Sequence, residues 1–327
     1  MNKIYDLLHA KNLISKEQHQ AIEEYSKLQL FSIRNELLFL LYISILLFTT
    51  GVGIIIYKNI DTIGHTILLI LLAVATALCL YFCKKKAVGF SKDEVKFENP
   101  LYEYLVLFTT ILMCTFIGYF QYNLNFQDSN YSVATLVSAV AALGMAYYFD
   151  NKSALTIGIT ALGSFIGLSI QVQTLIDNDN FDDPRILFSG LVFGGLLMLW
   201  QFLSDKYAVK THFSFVILTF ALHLLALSCF GGYFQNGFWI IYLAILAAVL
   251  YYFYLKSVQF KAISWYSFVL IYGYFGANIL LFKVLESIDL DLIYGFIPIL
   301  SPFYFIGSII LFVKLIRDFK KKINVSE

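Results

Sequence analysis

Apolar stretches of roughly 18 to 23 residues recur along the whole chain, and none carries Asp, Glu, Lys or Arg in its middle. About 20 residues of α-helix cross a hydrocarbon core about 30 Å thick. Backbone groups in lipid must pair within a segment, and the alternation of a barrel strand is absent, so each stretch is predicted to be helical. The predicted spans are 37–57, 63–82, 104–122, 131–149, 153–176, 186–203, 213–230, 238–255, 262–282 and 292–313. The predicted fold is an all-α, polytopic integral membrane bundle of about ten transmembrane helices.

Composition excludes an ordinary soluble fold. The 327 residues are 59% hydrophobic and 14% charged, whereas soluble domains contain about 25% charged residues. All four cysteines, Cys79, Cys83, Cys114 and Cys229, lie inside or at the edge of apolar runs. They are expected to act as small hydrophobic residues, so neither a disulfide framework nor a zinc site is predicted.

The positions of Lys and Arg predict the orientation. With the N-terminus in the cytoplasm, 20 of the 23 basic residues lie on the cytoplasmic side. The three on the other side are Lys58, Arg185 and Lys283. This asymmetry over short loops is the positive-inside pattern. Both termini are therefore predicted to be cytoplasmic, and the segment 84–103 is expected to be a solvated cytoplasmic surface.

Two lysine clusters are predicted to attract anionic lipid headgroups. They are Lys84, Lys85 and Lys86 after the second span, and Lys320, Lys321 and Lys322 in a basic cytoplasmic tail, 314–327. Anchoring and orientation alone also explain such clusters. Because the basic residues lie beside the membrane and form no separate domain, nucleic-acid binding is not expected.

The N-terminal residues 1–36 are predicted to form a cytoplasmic helical hairpin. Ser15 to Gln18 has the pattern of a capping box, which begins a helix. Charged residues interrupt the segment, so it is not a cleaved signal peptide. Another envelope protein is a possible partner for residues 1–34.

Three predicted cytoplasmic turns resemble one another. The turns after spans four, six and eight each run from aromatic residues into a lysine, near Tyr147, Trp200 and Tyr251, at a spacing of about 52 residues. Tandem helical hairpins explain this pattern. An array of unrelated hairpins with aromatic belts explains it equally, so a true duplication stays open.

The N-terminal part of the chain resembles a known family. Leu13-Ile14-Ser15-Lys16-Glu17-Gln18 and the stretch from Leu46-Leu47-Phe48 to Tyr57-Lys58-Asn59 are similar to the bacterial predicted-membrane-protein family of unknown function, DUF2157. The resemblance covers mainly residues 1–85, and Ile60 stands where that family often has Trp. It implies a multi-pass protein of the bacterial inner membrane, and it implies no activity.

A polar site within the membrane is the main candidate for chemistry. His223 lies near the middle of span seven, and it is expected either to hydrogen-bond across helices, for example to Asn278 or Gln171, or to line a polar cavity. Span ten contains Pro298, Ser301 and Pro302, which suggest either a broken helix that binds a solute or an ordinary kink.

The sequence favours a non-enzymatic structural or interaction protein of the cell envelope. It contains no H-E-x-x-H, no G-x-S-x-G and no phosphate-binding glycine loop. The acidic loop 177–183 lacks the glycine and terminal glutamate of a calcium loop, so no metal or cofactor is predicted. The alternatives are a permease or channel-like carrier for a neutral or amphipathic solute, and, more distantly, an intramembrane enzyme without a recognisable motif.

Overall fold

The structure is a computed structural model that describes most of the chain. The described residues are 14–19, 34–58, 64–95, 97, 99–123, 131–171, 184–233, 239–287 and 297–325. The chain divides into two compact units, Met1–His65 and Thr66–Glu327.

In its described residues, the first unit contains a short helical turn and one long helix. Ser15 Oγ accepts a hydrogen bond from the Gln18 N–H at 3.2 Å, and Gln18 Oε1 accepts one from the Ser15 N–H at 2.9 Å. The predicted capping box is therefore present, whereas the rest of the predicted hairpin lies outside the described residues. Helix α1, Arg34–Lys58, has no buried side chain among those described and carries apolar residues on every side, as expected in lipid.

The second unit contains nine long helices in the described part of the chain. They are α2 (His65–Lys86, which begins at the boundary between the units), α3 (Pro100–Asn123), α4 (Tyr131–Phe149), α5 (Lys152–Gln171), α6 (Pro184–Lys206), α7 (Ser214–Tyr233), α8 (Trp239–Gln259), α9 (Ile263–Ser287) and α10 (Ile297–Val325). A 3₁₀ turn, Thr211–Phe213, precedes α7.

The all-helical, multi-spanning fold is confirmed. Among the described residues, nine helices, α1 to α9, are long and apolar enough to cross a membrane. The tenth predicted span, 292–313, begins outside the described residues and continues as the first part of α10. A count of ten therefore stays a prediction. The predicted tail 314–327 is helical as far as Val325.

Three helical hairpins end in the same kind of turn at one end of the second unit. After α4, α6 and α8, Asp150, Ala208 and Lys261 adopt positive φ angles of 54°, 49° and 50°. The next residue then donates its N–H to a carbonyl five positions earlier: Asn151 to Ala146, Val209 to Ser204, and Ala262 to Ser257, at 2.9–3.0 Å. This is the Schellman arrangement, which stops a helix and satisfies its last carbonyls. We call this end, which also carries residues 87–95, the lysine-rich end.

Helix α7 lies at the centre of the second unit. Eleven of its residues are buried, among them Ile217, Leu218, Ala221 and Leu222. The main apolar core surrounds it with buried side chains from α2 to α6, from α8 and from α9. Trp265 of α9 is fully buried there and donates its indole N–H to Thr219 Oγ1 at 2.8 Å. The hairpins are therefore joined through α7.

Glycines allow the closest approaches between helices. A Cβ added at Gly194 of α6 would lie 2.6 Å from Leu225 Cγ of α7, and one added at Gly158 of α5 would lie 2.7 Å from Leu143 Cδ2 of α4. Real Cβ atoms do not come so near, so a larger residue at either position would force the facing leucine to shift. Gly195, by contrast, has open space around it.

Candidate functional site

His223 bonds across helices, as one of its two predicted roles requires. Its Nδ1 lies 2.6 Å from the Tyr272 hydroxyl of α9, and its ring packs edge-on against Phe268 at 4.5 Å between centroids. The partner in the structure is Tyr272, whereas Asn278 bonds to Tyr274 and Tyr304. Such a bond between membrane helices contributes about 0.6 to 2 kcal/mol.

Asn278 joins α9 to α10. Its Oδ1 accepts a hydrogen bond from the Tyr304 hydroxyl at 2.8 Å, and its Nδ2 donates to the Tyr274 carbonyl one turn earlier. Tyr274 and Tyr304 stack at 6.2 Å between ring centroids, and the Tyr274 hydroxyl lies 3.3 Å from Ser308 Oγ. These residues form a polar contact between two antiparallel helices.

The other predicted site residues lie at helix ends. Gln171 is the last residue of α5 and Pro298 is the second residue of α10. The structure describes the backbone of these two residues but not their side chains. Ser301 and Pro302 lie in the first turns of α10, which continues as a helix across Pro302.

The structure does not bring His223 and Asn278 to one place. Tyr272, the partner of His223, turns toward α7. Asn278, six positions along the same helix, turns toward α10. The two polar contacts therefore serve different helix pairs.

A buried ionic cluster lies at the lysine-rich end. Lys210 Nζ donates to Asp150 Oδ1 at 2.6 Å, and His212 Nε2 lies 2.6 Å from the same oxygen. The Val95 N–H donates to Asp150 Oδ2 at 2.5 Å. The Lys210 side chain is 0% exposed and that of Asp150 3%. We call these four residues the clasp.

The clasp is electrostatically balanced around one carboxylate. Burial by itself raises the pKa of Asp150, but the hydrogen bonds from Lys210, from the Val95 N–H and from His212 outweigh burial and hold that pKa below its ordinary value. The carboxylate is therefore ionised at neutral pH. An ionised carboxylate only accepts hydrogen bonds, so His212 donates its Nε2 proton to it.

The clasp ties together three segments that are distant in sequence. Residues 92–95 come from the connection between α2 and α3, Asp150 from the α4–α5 turn, and Lys210 and His212 from the α6–α7 connection. The Lys210 N–H donates to the Lys92 carbonyl at 2.8 Å, and Lys152 pairs with Glu94 at 2.7 Å on the exposed side. The bond with Lys152 lowers the pKa of Glu94 despite its partial burial.

Asn151, beside Asp150, adds a second set of bonds. Its Nδ2 donates to the Glu103 carbonyl of α3 at 3.0 Å, and its Oδ1 accepts the Ala154 N–H at 2.8 Å, which caps α5. A buried Asn that both caps one helix and bonds to another fixes the angle between them.

The clasp was not predicted from the sequence. Lys210 was expected to be one more cytoplasmic lysine, and the segment 84–103 was expected to be a solvated surface. Lys210 is in fact fully buried, and Val95 is a clasp member. The available signal was an Asp at the end of α4 and a Lys-Thr-His run before α7, but no spacing rule joins residues 60 positions apart.

The clasp is held together by hydrogen bonds to one carboxylate. In the part of the chain that the structure describes, no group of three or more His, Cys, Asp or Glu side chains is placed to hold a metal ion. A buried carboxylate between a lysine and a histidine fixes its surroundings, because both of its oxygens accept hydrogen bonds.

A family model matches the N-terminal part of the chain. No curated protein and no solved structure matches the chain significantly. A family model described as a predicted membrane protein, DUF2157, matches residues 6–155, a segment that includes Val95 and Asp150 but ends before Lys210. The resemblance predicted from the first 85 residues is thus confirmed over a longer segment, and the chain is a multi-spanning membrane protein with an N-terminal half similar to the DUF2157 family.

Proposed function

We propose that the protein is a non-enzymatic structural or interaction protein of the bacterial inner membrane, with both termini cytoplasmic, and that it engages another envelope protein at its lysine-rich end. The clasp is the observation that carries this proposal. It uses buried charge to hold three connecting segments in fixed positions, which a purely lipid-embedded bundle does not need.

The segments held by the clasp present a mixed surface. Val88, Phe90 and Tyr207 are large and exposed, and lysines lie beside them in the chain. We call this set the loop surface; it comprises Lys84, Lys85, Lys86, Val88, Phe90, Lys92, Lys206 and Tyr207. Exposed apolar and aromatic side chains ringed by charge are characteristic of protein interaction sites.

Preorganisation gives the clasp its role in binding. A partner that meets already ordered loops does not bear the entropy cost of ordering them. Breaking the clasp should therefore weaken the interaction even though Asp150 and Lys210 are buried and touch no partner.

Photo-crosslinking in living cells tests the proposal. A photoreactive amino acid replaces Val88, Phe90 or Tyr207 in the full chain, and Leu196 of α6, which is exposed in mid-span, serves as the control position. Discrete protein adducts are expected from the loop surface and not from Leu196. The same adducts should be lost when Asp150→Asn is added, and they should remain when Glu94→Gln is added.

Two results would oppose the proposal. One is the same adduct pattern from Leu196 as from the loop surface. The other is an unchanged pattern in an Asp150→Asn protein that is still folded, as judged by a monodisperse elution profile in detergent. Deletion of residues 1–34 separates the contribution of the N-terminal segment, because adducts formed by the loop surface alone survive that deletion.

The geometry favours this proposal over a carrier that uses His223 and Asn278 together. A solute path would require the two side chains to share one cavity, whereas each is bonded to a different neighbouring helix. Cysteines placed around His223 should therefore resist soluble thiol reagents. Rapid labelling there would support the carrier instead.

A further inference from the structure

An open cavity of about 830 Å³ lies between α8, α9 and α10. Its wall is almost wholly apolar, with Leu250, Val269, Leu311 and Phe312 among its lining residues. The lining residues with polar side chains all carry hydroxyls, and they include Tyr254, Tyr304 and Ser308. We call this cavity the lateral groove. Its volume is within the range of small-molecule sites, about 300 to 1,000 Å³.

The groove has the depth of one lipid leaflet. Its lining on α10 runs from Tyr304 to Leu315, which is about 16 Å along a helix. Half of a hydrocarbon core about 30 Å thick is about 15 Å. The Tyr266 and Phe319 rings stack at 4.0 Å between centroids next to the groove at its lysine-rich end.

Positive charge continues the groove at that same end. Lys322 follows Leu315 by seven residues on the same face of α10, and its Nζ donates to the hydroxyl of the groove-lining Tyr254 at 3.1 Å. The exposed residues from Lys314 to Lys322 include five basic side chains and one acidic side chain, Asp318, for a net charge of +4. Lysines at this depth bury their stems and place their ammonium groups among headgroups.

We propose that the lateral groove is a binding site for an anionic phospholipid of the leaflet at the lysine-rich end. An acyl chain fills the groove from Leu315 to Tyr304, and the phosphate meets Lys322 and its basic neighbours on α10. The apolar wall, the depth of one leaflet and the cationic end all fit an anionic phospholipid. A neutral solute would not require the charge.

Gly307 leaves the room that the acyl chain takes. It lines the groove, and a Cβ at this position would have no heavy atom within 4 Å. A large side chain at position 307 can therefore enter the groove without displacing the backbone. Gly195 of α6 is equally exposed, equally open and not part of the groove lining, which makes it a matched control.

The site is separate from the loop surface, so it does not depend on the proposed function. The groove variants change positions 307 and 322, whereas the protein interaction is tested at positions 88, 90 and 207. Failure of one proposal leaves the other standing.

The test uses the full chain in phosphatidylcholine vesicles with a trace of lipid that carries a photoreactive diazirine in its acyl chain. The probe has either a phosphatidylglycerol or a phosphatidylcholine headgroup, and peptide mass spectrometry locates the labelled residues. We expect the phosphatidylglycerol probe to label the groove face of α10 and the facing residues of α8 and α9. Unlabelled phosphatidylglycerol should compete for this labelling.

Two groove variants and one control variant make the result specific. Gly307→Trp should abolish groove labelling, whereas Gly195→Trp should leave it unchanged. Lys322→Gln, an exposed change that keeps the fold, should weaken competition by phosphatidylglycerol about fivefold, the effect expected for one lysine near an anionic surface.

Three outcomes would overturn the proposal. The first is equal labelling along all exposed helix faces, which means annular lipid only. The second is equal groove labelling by both headgroups together with no effect of Lys322→Gln. The third is a protein adduct in cells from a photoreactive residue at position 307, which means that a partner helix covers the groove.

Discussion

Lys210 Nζ lies 2.6 Å from Asp150 Oδ1, in a place where the lysine side chain has no exposed surface and the aspartate almost none. Sixty positions separate the two residues in the chain. Their pairing fixes the α4–α5 turn against the segment that leads into α7, so the two hairpins share one end. His212 and the Val95 N–H complete the surroundings of the carboxylate.

Removing the carboxylate should be costly. Asp150→Asn leaves Lys210 charged and buried without a counterion, and the expected loss in free energy of unfolding is about 3 to 5 kcal/mol. The double variant Asp150→Asn with Lys210→Met should recover much of that loss, because no unpaired charge remains. Thermal unfolding of the purified protein in detergent measures both. Glu94→Gln is the control: it breaks a bridge of exposed side chains and should lower the free energy of unfolding by at most about 1 kcal/mol. Equal losses in Asp150→Asn and Glu94→Gln would contradict the role assigned to burial.

The contribution of Asp150 should disappear in acid. Its pKa in the folded protein is lowered, below the ordinary aspartate value of about 3.9. A lowered carboxyl pKa stabilises the fold above the unfolded-state value, and this stabilisation is lost as the pH falls through the folded-state value. The difference in unfolding midpoint between the natural protein and Asp150→Asn should be nearly full at pH 5 and should shrink below about pH 4. A difference that grows in acid would refute the assignment.

The bond between His223 and Tyr272 should couple α7 to α9. Tyr272→Phe removes the hydroxyl and keeps the ring, and it should lower the free energy of unfolding by about 0.6 to 2 kcal/mol. In a double-mutant cycle with His223→Leu, the two losses should not add, because each change breaks the same bond. Additive losses would show that the 2.6 Å contact contributes nothing. His223→Leu should also leave the crosslinks at the loop surface unchanged in a folded protein, because the role assigned to His223 is packing.

Two neighbouring glycines should respond in opposite ways to alanine. Both Gly194→Ala and Gly195→Ala gain helix propensity, about 0.8 to 1 kcal/mol. At Gly194 the new methyl group would meet Leu225 Cγ at 2.6 Å, whereas at Gly195 it would meet nothing within 4 Å. Overpacking costs about 1 to 3 kcal/mol, so Gly194→Ala should be the less stable of the two by about that amount. Unfolding in detergent compares them directly, and equal stability would mean that α6 and α7 are not as close as described.

The helices could be predicted from the sequence because lipid leaves an apolar segment few choices. The predicted span 131–149 coincides with α4, Tyr131–Phe149, and 186–203 lies inside α6, Pro184–Lys206. Larger differences occur at the lysine-rich end, where α2 continues to Lys86 and α10 to Val325. The hydropathy of the sequence locates the edge of the hydrocarbon core. A helix can continue past that edge until a residue such as Asp150 or Lys261 ends it.

The clasp could not be predicted, because charge patterns describe sides of a membrane and not pairs of residues. Lys210 supports the positive-inside pattern as well as any solvated lysine does, and nothing local marks it as buried. Its own backbone is left-handed, with φ of 52°, a conformation in which lysine is uncommon. For His223, the sequence indicated either a partner on another helix or a polar cavity, and Tyr272 was one of many aromatic residues that an interfacial belt also explained.

Helix α10 has a mechanical consequence of its own. With 29 residues, the helix is about 44 Å long. This length is well beyond the thickness of the hydrocarbon core, which is roughly 30 Å. Its last turns therefore exceed the length that crosses the hydrocarbon core, and there Phe319 packs against Tyr266 of α9. A protein domain fused to this end of α10 would therefore be held at a fixed distance and orientation. A proline at position 318 would break the helix and let the domain move.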